Sequence, residues 1–425
     1  MSDAPKEYVL VTEYFHPDTA STGQLMTDLA VGLAERGLDL SVYTGQPNYH
    51  ASDTGRQPHQ ETHEGVPVTR IRAPQVSQSS LPRRLFNWGV FTVWMVLVLA
   101  RDRTEDRELV FVSNPPVLPP AMWLLCKVKG WEYTYIVYDL YPDVVAASGH
   151  IREGGVVYRA WAAVNEHVFA DASNVVALGP VMRDHILEAA GEDFDPETVE
   201  VIHNWADGES IRPMEKSENW FSEEQDLVEP FTLVYSGNIG ANHDLETVVE
   251  AARSFQNDPV RVLVIGEGDR KDEVVALAER YCLRGDTVRF LPYQDIEVLP
   301  YTLTSGDVSV VSVDAGMKGL CVSCKLYTSL AAGQPVLAIS HPDDDEARLV
   351  ERHDAGQVVR QHDVEGVVEA VQRWRRDPDL VDRQGRNARE AFESNYTKEQ
   401  SVDEYYQLLS DAPRVRVEPP QGGSR

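Results

Sequence analysis

The run GLCVSCKLYTSLAAGQPVLA, residues 319–338, carries a C-x-x-C pair, Cys321 and Cys324, that ends directly on a lysine, Lys325. Cysteines at that spacing supply half of a tetrahedral zinc site or a redox-active thiol pair. A structural zinc needs about four ligands. Cys126 and Cys282 stand alone in helix-like segments, and no histidine near 321–324 falls at ligand spacing. The lysine is the more informative residue. It opens a short helix that Gly333 closes, and a cation at a helix start opposes the helix dipole unless an anion lies beside it. The cysteines therefore read as small packing residues with no metal, and Lys325 as a group aimed at an anion.

Three further loops carry polar residues of the same kind. In YSGNIGANHD, 235–244, the stretch Ser236, Gly237, Asn238 lies between a strand and an amphipathic helix whose N-cap is read as Asp244. Glycines at 237 and 240 let backbone amides approach a diphosphate closely, against the alternative of a plain glycine turn. HPDTASTGQ, 16–24, has small residues ahead of a helix start, which can cradle an anion. It is not G-x-G-x-x-G and lacks the acid expected about 20 residues on in a dinucleotide fold, so an ordinary strand–helix connection fits equally well. In YDLYPD, 138–143, Asp139 ends a strongly apolar strand, a position where a polar group reads as functional; Asp143 reads as a cap.

Strand-like and helix-like segments alternate almost throughout. Strands are expected at 7–12, 40–45, 68–73, 108–113, 133–139, 174–179 and 199–205, and again at 231–237, 260–266, 287–293, 307–313 and 335–340. That alternation predicts an α/β protein of two tandem Rossmann-like domains, 1–205 and 231–394. A polar connector, 206–230, separates them; a helix at 395–410 and a tail without order, 411–425, follow. Ligands of open parallel sheets bind beyond the carboxyl ends of the strands, which gathers the four loops into a cleft.

Composition narrows the class. The formal charge is −29, from 68 Asp and Glu against 39 Lys and Arg, and only 8 of the 39 are lysine. Such acid-rich, lysine-poor chains keep their surfaces hydrated in molar salt, which points to a halophile's cytoplasmic protein. A general nucleic-acid binder would need a basic stripe that is missing. No signal peptide is visible, and four scattered cysteines make no disulfide framework. The apolar stretch LFNWGVFTVWMVLVLA, 85–100, contains Trp88 and Trp94 and follows Arg83 and Arg84. It falls short of the roughly 20 residues that span a bilayer. It reads either as a buried helix or as a helix touching a membrane surface with its arginines at the headgroups.

Together, YFHPDTASTGQLMTDLAVGLAERG, YTGQPNY, SNPP, YDLYPD, IHNWAD, YSGNIGANHDLETVVEAA, IGEGDRKDEV and the 319–338 run resemble family 4 of the retaining, nucleotide-sugar-dependent glycosyltransferases of GT-B fold. The most similar branch builds surface glycans and includes the N-acetyl-L-fucosamine transferases. The resemblance spans 14–338 and implies that the N-terminal domain receives an acceptor, a lipid-linked sugar. The C-terminal domain would hold a nucleotide sugar, UDP-linked, with no metal and no cofactor, and the last helix would return to the N-terminal domain. Carried over residue by residue, Thr22 and Gly23 lie near the diphosphate or sugar. Ser236, Gly237 and Asn238 cradle phosphate, and Lys325 neutralises the leaving group. Gly266 and Glu267 line the nucleotide side, Leu326 and Thr328 belong to the donor site, and Asp139 replaces a histidine that contacts the transferred sugar. Two departures stand out: the family's paired donor-loop glutamates fall at Leu320 and Thr328, and its basic pair after the phosphate loop falls at Asn242 and His243. A nucleotide-sugar 2-epimerase and a non-catalytic nucleotide-sugar binder are the alternatives on the same architecture.

Overall fold

The computed structural model describes residues 6–18, 20–47, 56–73 and 81–410, with the side chain of Leu81 excepted. The tail expected at 411–425 lies outside the described residues.

Apolar runs such as YVLV and VLVI have no face to show to water, so they settle into parallel sheets covered by helices on both sides. The N-terminal sheet comprises β1 (Glu7–Thr12), β2 (Leu40–Thr44), β3 (Gln60–His63), β4 (Val66–Arg70), β5 (Arg107–Val112), β6 (Glu132–Val137), β7 (Asn174–Ala177) and β8 (Val199–Val201). Its order is β3-β4-β2-β1-β5-β6-β7-β8, parallel except for the antiparallel pair β3 and β4. Sequence pattern missed β3 because QETH, at the sheet edge, is partly exposed throughout and has no apolar face. Among the described residues six α-helices serve this half: α1 (Ser21–Glu35), α2 (Leu81–Ala100), α3 (Leu118–Lys129), α4 (Asp143–Ala147), α5 (Val156–Ala170) and α6 (Pro180–Ala190).

The second half runs α7 (Trp220–Glu224), β9 (Phe231–Ser236), α8 (Glu246–Ala252), β10 (Val260–Ile265), α9 (Lys271–Arg280), β11 (Val288–Leu291), α10 (Leu299–Leu303), β12 (Val308–Ser312), α11 (Cys324–Ala331), β13 (Val336–Ile339), α12 (Asp345–Arg352) and β14 (Gly356–Val359). Helices α13 (Val364–Arg376), α14 (Pro378–Asn395) and α15 (Lys398–Leu409) complete it. The sheet order β11-β10-β9-β12-β13-β14 is parallel throughout. Both halves are Rossmann-like. In each, strand order reverses once, between β1 and β5 and between β9 and β12, and such switch points open a crevice for ligands.

Three local features differ from the sequence pattern. The polar stretch 206–230 is not an open connector along its whole length. Phe221 and Leu227 bury themselves with Val234, Leu263 and Ile265, and the Asn219 amide donates to the Tyr301 carbonyl at 2.8 Å. Asp143 is not a cap: it is the first residue of α4, and its carboxylate accepts the Tyr158 hydroxyl at 2.5 Å. Helix α2 has 20 residues rather than 16, and its segment Pro82–Ala100 is long and apolar enough to cross a bilayer. One stripe, with Phe91, Met95 and Leu99, is buried, while Leu85, Phe86, Val93, Trp94 and Leu97 are exposed.

Helix α15 lies against α1. The two approach so closely at Gly32 that a Cβ there would stand 2.8 Å from Val402. Arg36 pairs with Asp403 at 2.6 Å, and the Tyr8 hydroxyl donates to the carbonyl of Leu409. A single apolar core runs from β1 through α11 to α15, so the two domains share buried surface.

Candidate active site

The carboxyl ends of the two sheets face one another across a cleft of about 810 Å³. From the N-terminal domain it is lined by Asp18, Thr22 and Gln24 after β1, Asn114 after β5, and Asp139 after β6. From the C-terminal domain come Ser236, Gly237 and Asn238 after β9, Glu267 after β10, residues 292–297 after β11, and 321–325 with Thr328 at the start of α11.

Lys325 stands in the C-terminal wall of the cleft. Its Nζ is 3.3 Å from His243 Nε2 and 5.3 Å from the centroid of the Tyr235 ring. Burial in the cleft wall lowers its ammonium to about 8, opposed by the nearby thiols and Glu346. His243 is held neutral, pushed down to about 3 by burial and then by Lys325. Gly237 has φ +141°, and a Cβ there would stand 2.5 Å from Lys325 Cε. A side chain at Gly266, with φ +146°, would collide with the Gly237 carbonyl at 1.9 Å. These two glycines are required by close approach as well as by φ.

The phosphate-loop expectation needs one correction. The amide of Gly237 is already donated to the Ile265 carbonyl at 2.9 Å, an extension of the β9–β10 ladder, so it cannot also bind an anion. Gly237 serves by the room it leaves for Lys325. Glu267 lines the cleft with its carboxylate 2.7 Å from Lys271 Nζ.

On the N-terminal wall, Asp139 Oδ2 accepts from the Asn114 amide at 3.0 Å, and Tyr141 donates to Asn114 Oδ1 at 3.2 Å. Burial raises the Asp139 carboxyl, partly offset by the Asn114 bond. The backbone here reaches across the domain boundary: Asp139 forms an antiparallel bridge with Cys321, and the Leu140 amide donates to Leu320 at 2.8 Å. Asn204 donates to Cys324 Sγ at 3.4 Å, also across the boundary. Both thiols are pushed up by burial, Cys324 to about 11. Among the described residues no group of His, Cys, Asp or Glu has metal-binding geometry. The C-x-x-C segment is thus a small-residue seam between domains.

Other expected residues fall elsewhere. Leu326 has its side chain fully buried in the apolar core, because the α11 helix turns it away from the cleft. Gly23 is buried within α1 against Tyr14, behind Thr22. Arg84 reaches both carboxylate oxygens of Asp269 at 3.1 Å, making an ion pair between the domains rather than a headgroup contact. Arg83 is exposed near the start of α2, Trp88 is half-buried and Trp94 is exposed. Sequence reasoning missed Asn114, which lies within SNPP, and it missed Glu346. The latter hides in the run DDDE, which looks like a solvated helix start.

Two family profiles match the chain: the Glycosyl transferase 4-like domain over residues 22–205 and Glycosyl transferases group 1 over 216–391. The probable glycosyltransferase WbjE of Pseudomonas aeruginosa is 24% identical over 67% of this chain and 73% of its own length. The putative colanic acid biosynthesis glycosyl transferase WcaI of Escherichia coli is 24% identical over 75% and 79%. Among solved structures, sucrose-phosphate synthase from Thermosynechococcus elongatus aligns with a TM-score of 0.76 at 17% identity, covering 96% of this chain and 98% of that one. Anabaena HepE, solved with UDP-glucose, aligns at 0.70 and 13%, covering 96% and 100%. The structural likenesses show the fold, and the two profiles, each matched to one Rossmann-like half, make the chain a GT-B glycosyltransferase.

Proposed function

We propose that the protein moves a sugar from a UDP-sugar to a lipid-linked glycan acceptor with retention of anomeric configuration, at the cytosolic face of a membrane. The observation that carries the donor half is Lys325, set in the cleft between the two switch points with a neutral histidine beside it. An ammonium there stabilises the negative charge that develops on a departing diphosphate. In the front-side reaction we infer, the bond from the anomeric carbon to the diphosphate oxygen breaks while the acceptor oxygen bonds on the same face. The acceptor's proton passes to the leaving diphosphate. Asp139 orients the sugar and offsets developing positive charge on the ring. No metal or cofactor takes part in this reading. HepE, solved with UDP-glucose, supports the choice of nucleotide.

The acceptor half rests on α2. It packs against α3, which exposes Leu124 and Val128. Neither helix contains an acidic residue, in a chain of net charge −29. A carboxylate-free apolar face is the one such a chain can bring to an anionic leaflet. The acid-rich composition supports high salt as the natural medium.

The test is a thermal-shift screen of nucleotide sugars in molar KCl, followed by transfer of the best ligand's sugar to a short polyprenyl-linked sugar. UDP-sugar stabilisation and acceptor-dependent UDP release are expected. Conversion of donor to an epimer without acceptor would replace this reading with the epimerase.

A further inference from the structure

Helix α12 opens with consecutive carboxylates, Asp344 just before it and Asp345 and Glu346 within it, and all three are buried. Each holds a different piece of backbone. Asp345 Oδ1 accepts from the Val181 amide at 2.9 Å and Oδ2 from Met182 at 3.1 Å, which are first-turn amides of α6 in the N-terminal domain. Helix-start amides lack partners of their own, so this carboxylate docks the helix. Gly179 makes the approach feasible, since a Cβ there would lie 2.3 Å from Asp345 Cγ. Asp344 Oδ1 accepts from Gly319 at 3.0 Å, in the turn before the cross-domain seam. Glu346 Oε1 accepts from the Ser323 amide at 2.7 Å, two residues ahead of Lys325.

We propose that Asp345 and Glu346 are positioning residues that couple the seating of the N-terminal domain to the placement of Lys325. The two are adjacent on one helix turn, so a shift of α6 carried by Asp345 moves Glu346, and Glu346 carries the segment that aims the lysine. The remaining oxygens, Asp344 Oδ2 and Glu346 Oε2, have no hydrogen-bond partner among the described residues. Retaining two such oxygens in a buried site is costly, which a purely local helix cap would not require. The donor run has no glutamate at Leu320 or Thr328; Glu346 brings a carboxylate beneath the same loop from a different helix. The proposal rests on the reading of Lys325 as the diphosphate's partner, but its test does not.

Reductive methylation with isotope-labelled formaldehyde tags the eight lysines of the full chain. The resonance of Lys325 is identified by its loss in Lys325→Arg. Glu346→Ala and Asp345→Ala should each displace that resonance and its titration midpoint. Glu346→Gln, which keeps an oxygen for the Ser323 amide, should retain the resonance position, while the midpoint falls with loss of the carboxylate's charge. UDP affinity, read by calorimetry, should fall about tenfold in the alanine variants and stay near wild type in Glu346→Gln, the scale of one charge-assisted hydrogen bond. Should the alanine variants fail to fold, Asp345→Asn keeps one acceptor oxygen and is expected to give a partial displacement. An unmoved Lys325 resonance in folded Asp345→Ala, Asp345→Asn or Glu346→Ala overturns the coupling, as does a displacement in Glu346→Gln equal to that in Glu346→Ala. Absence of UDP binding in the wild type would overturn the proposed donor and leave the resonance result intact.

Discussion

His243 Nε2 lies 3.3 Å from Lys325 Nζ while its Nδ1 lies 2.9 Å from the carbonyl oxygen of Ser312. A carbonyl only accepts, so Nδ1 carries the ring proton and Nε2 turns a lone pair toward the ammonium. The lysine thus meets a neutral acceptor that orients it without cancelling its charge. His243→Ala should weaken UDP binding by about three- to tenfold and broaden the Lys325 resonance, while Lys325→Ala should lower turnover by orders of magnitude with the fold intact. Calorimetry and steady-state rates check both.

Burial, the chief cause, holds the Lys325 ammonium below its ordinary value, at about 8. A diphosphate binds the protonated form, so UDP affinity should be level below pH 8 and fall by up to about tenfold per pH unit above it. Binding above pH 8 should also take up a proton, seen as buffer-dependent heats. Lys325→Arg, always charged, should lose that alkaline limb.

Asp139→Asn should cut turnover by about 100-fold or more with UDP affinity changed less than about threefold, because in the proposed reaction the side chain orients the sugar and not the nucleotide. Chelation with EDTA should leave the rate unchanged, and so should Cys324→Ala, which removes only a weak sulfur acceptor for Asn204. A rate that collapses in EDTA and returns with added divalent ion would remove the metal-free mechanism.

Glu13 is buried at the end of β1, its carboxyl raised to about 8 by burial and by Asp18, with Oε2 unpartnered among the described residues. Its folded value lies above its unfolded one, so its stabilising contribution is full below about pH 4.5 and is lost as pH rises through 8. Glu13→Gln should melt within about a degree of wild type at pH 5 and several degrees higher at pH 9. Thermal scans across that range read the difference.

The strand–helix alternation and the loops that carry Lys325, Asp139 and Asn238 were legible because they depend on local pattern: apolar runs, helix starts and glycines. What escaped depends on partners far away in sequence. Whether the Gly237 amide is free is decided by Ile265, on the neighbouring strand. Leu326 and Thr328 both follow Lys325, yet the helix turns one into the core and the other into the cleft. The connector's acids concealed Phe221 and Leu227, two apolar anchors in a polar stretch. Glu346 was hidden most completely, since in a chain with 68 acidic residues one more gives no sign of being buried.

The pairing of α15 with α1 also constrains assembly. Helix α1 is made early, but the surface that covers Gly32 and ties down Arg36 arrives only after the whole second domain has been translated. The first domain therefore emerges with an apolar flank open, and it is closed by a segment more than 360 residues downstream, as the Arg36–Asp403 contact measures. Domain-by-domain completion in order of synthesis, the usual course for multidomain chains, is unavailable to this one. A chain released before α15 leaves the ribosome incomplete in its first half rather than in its last.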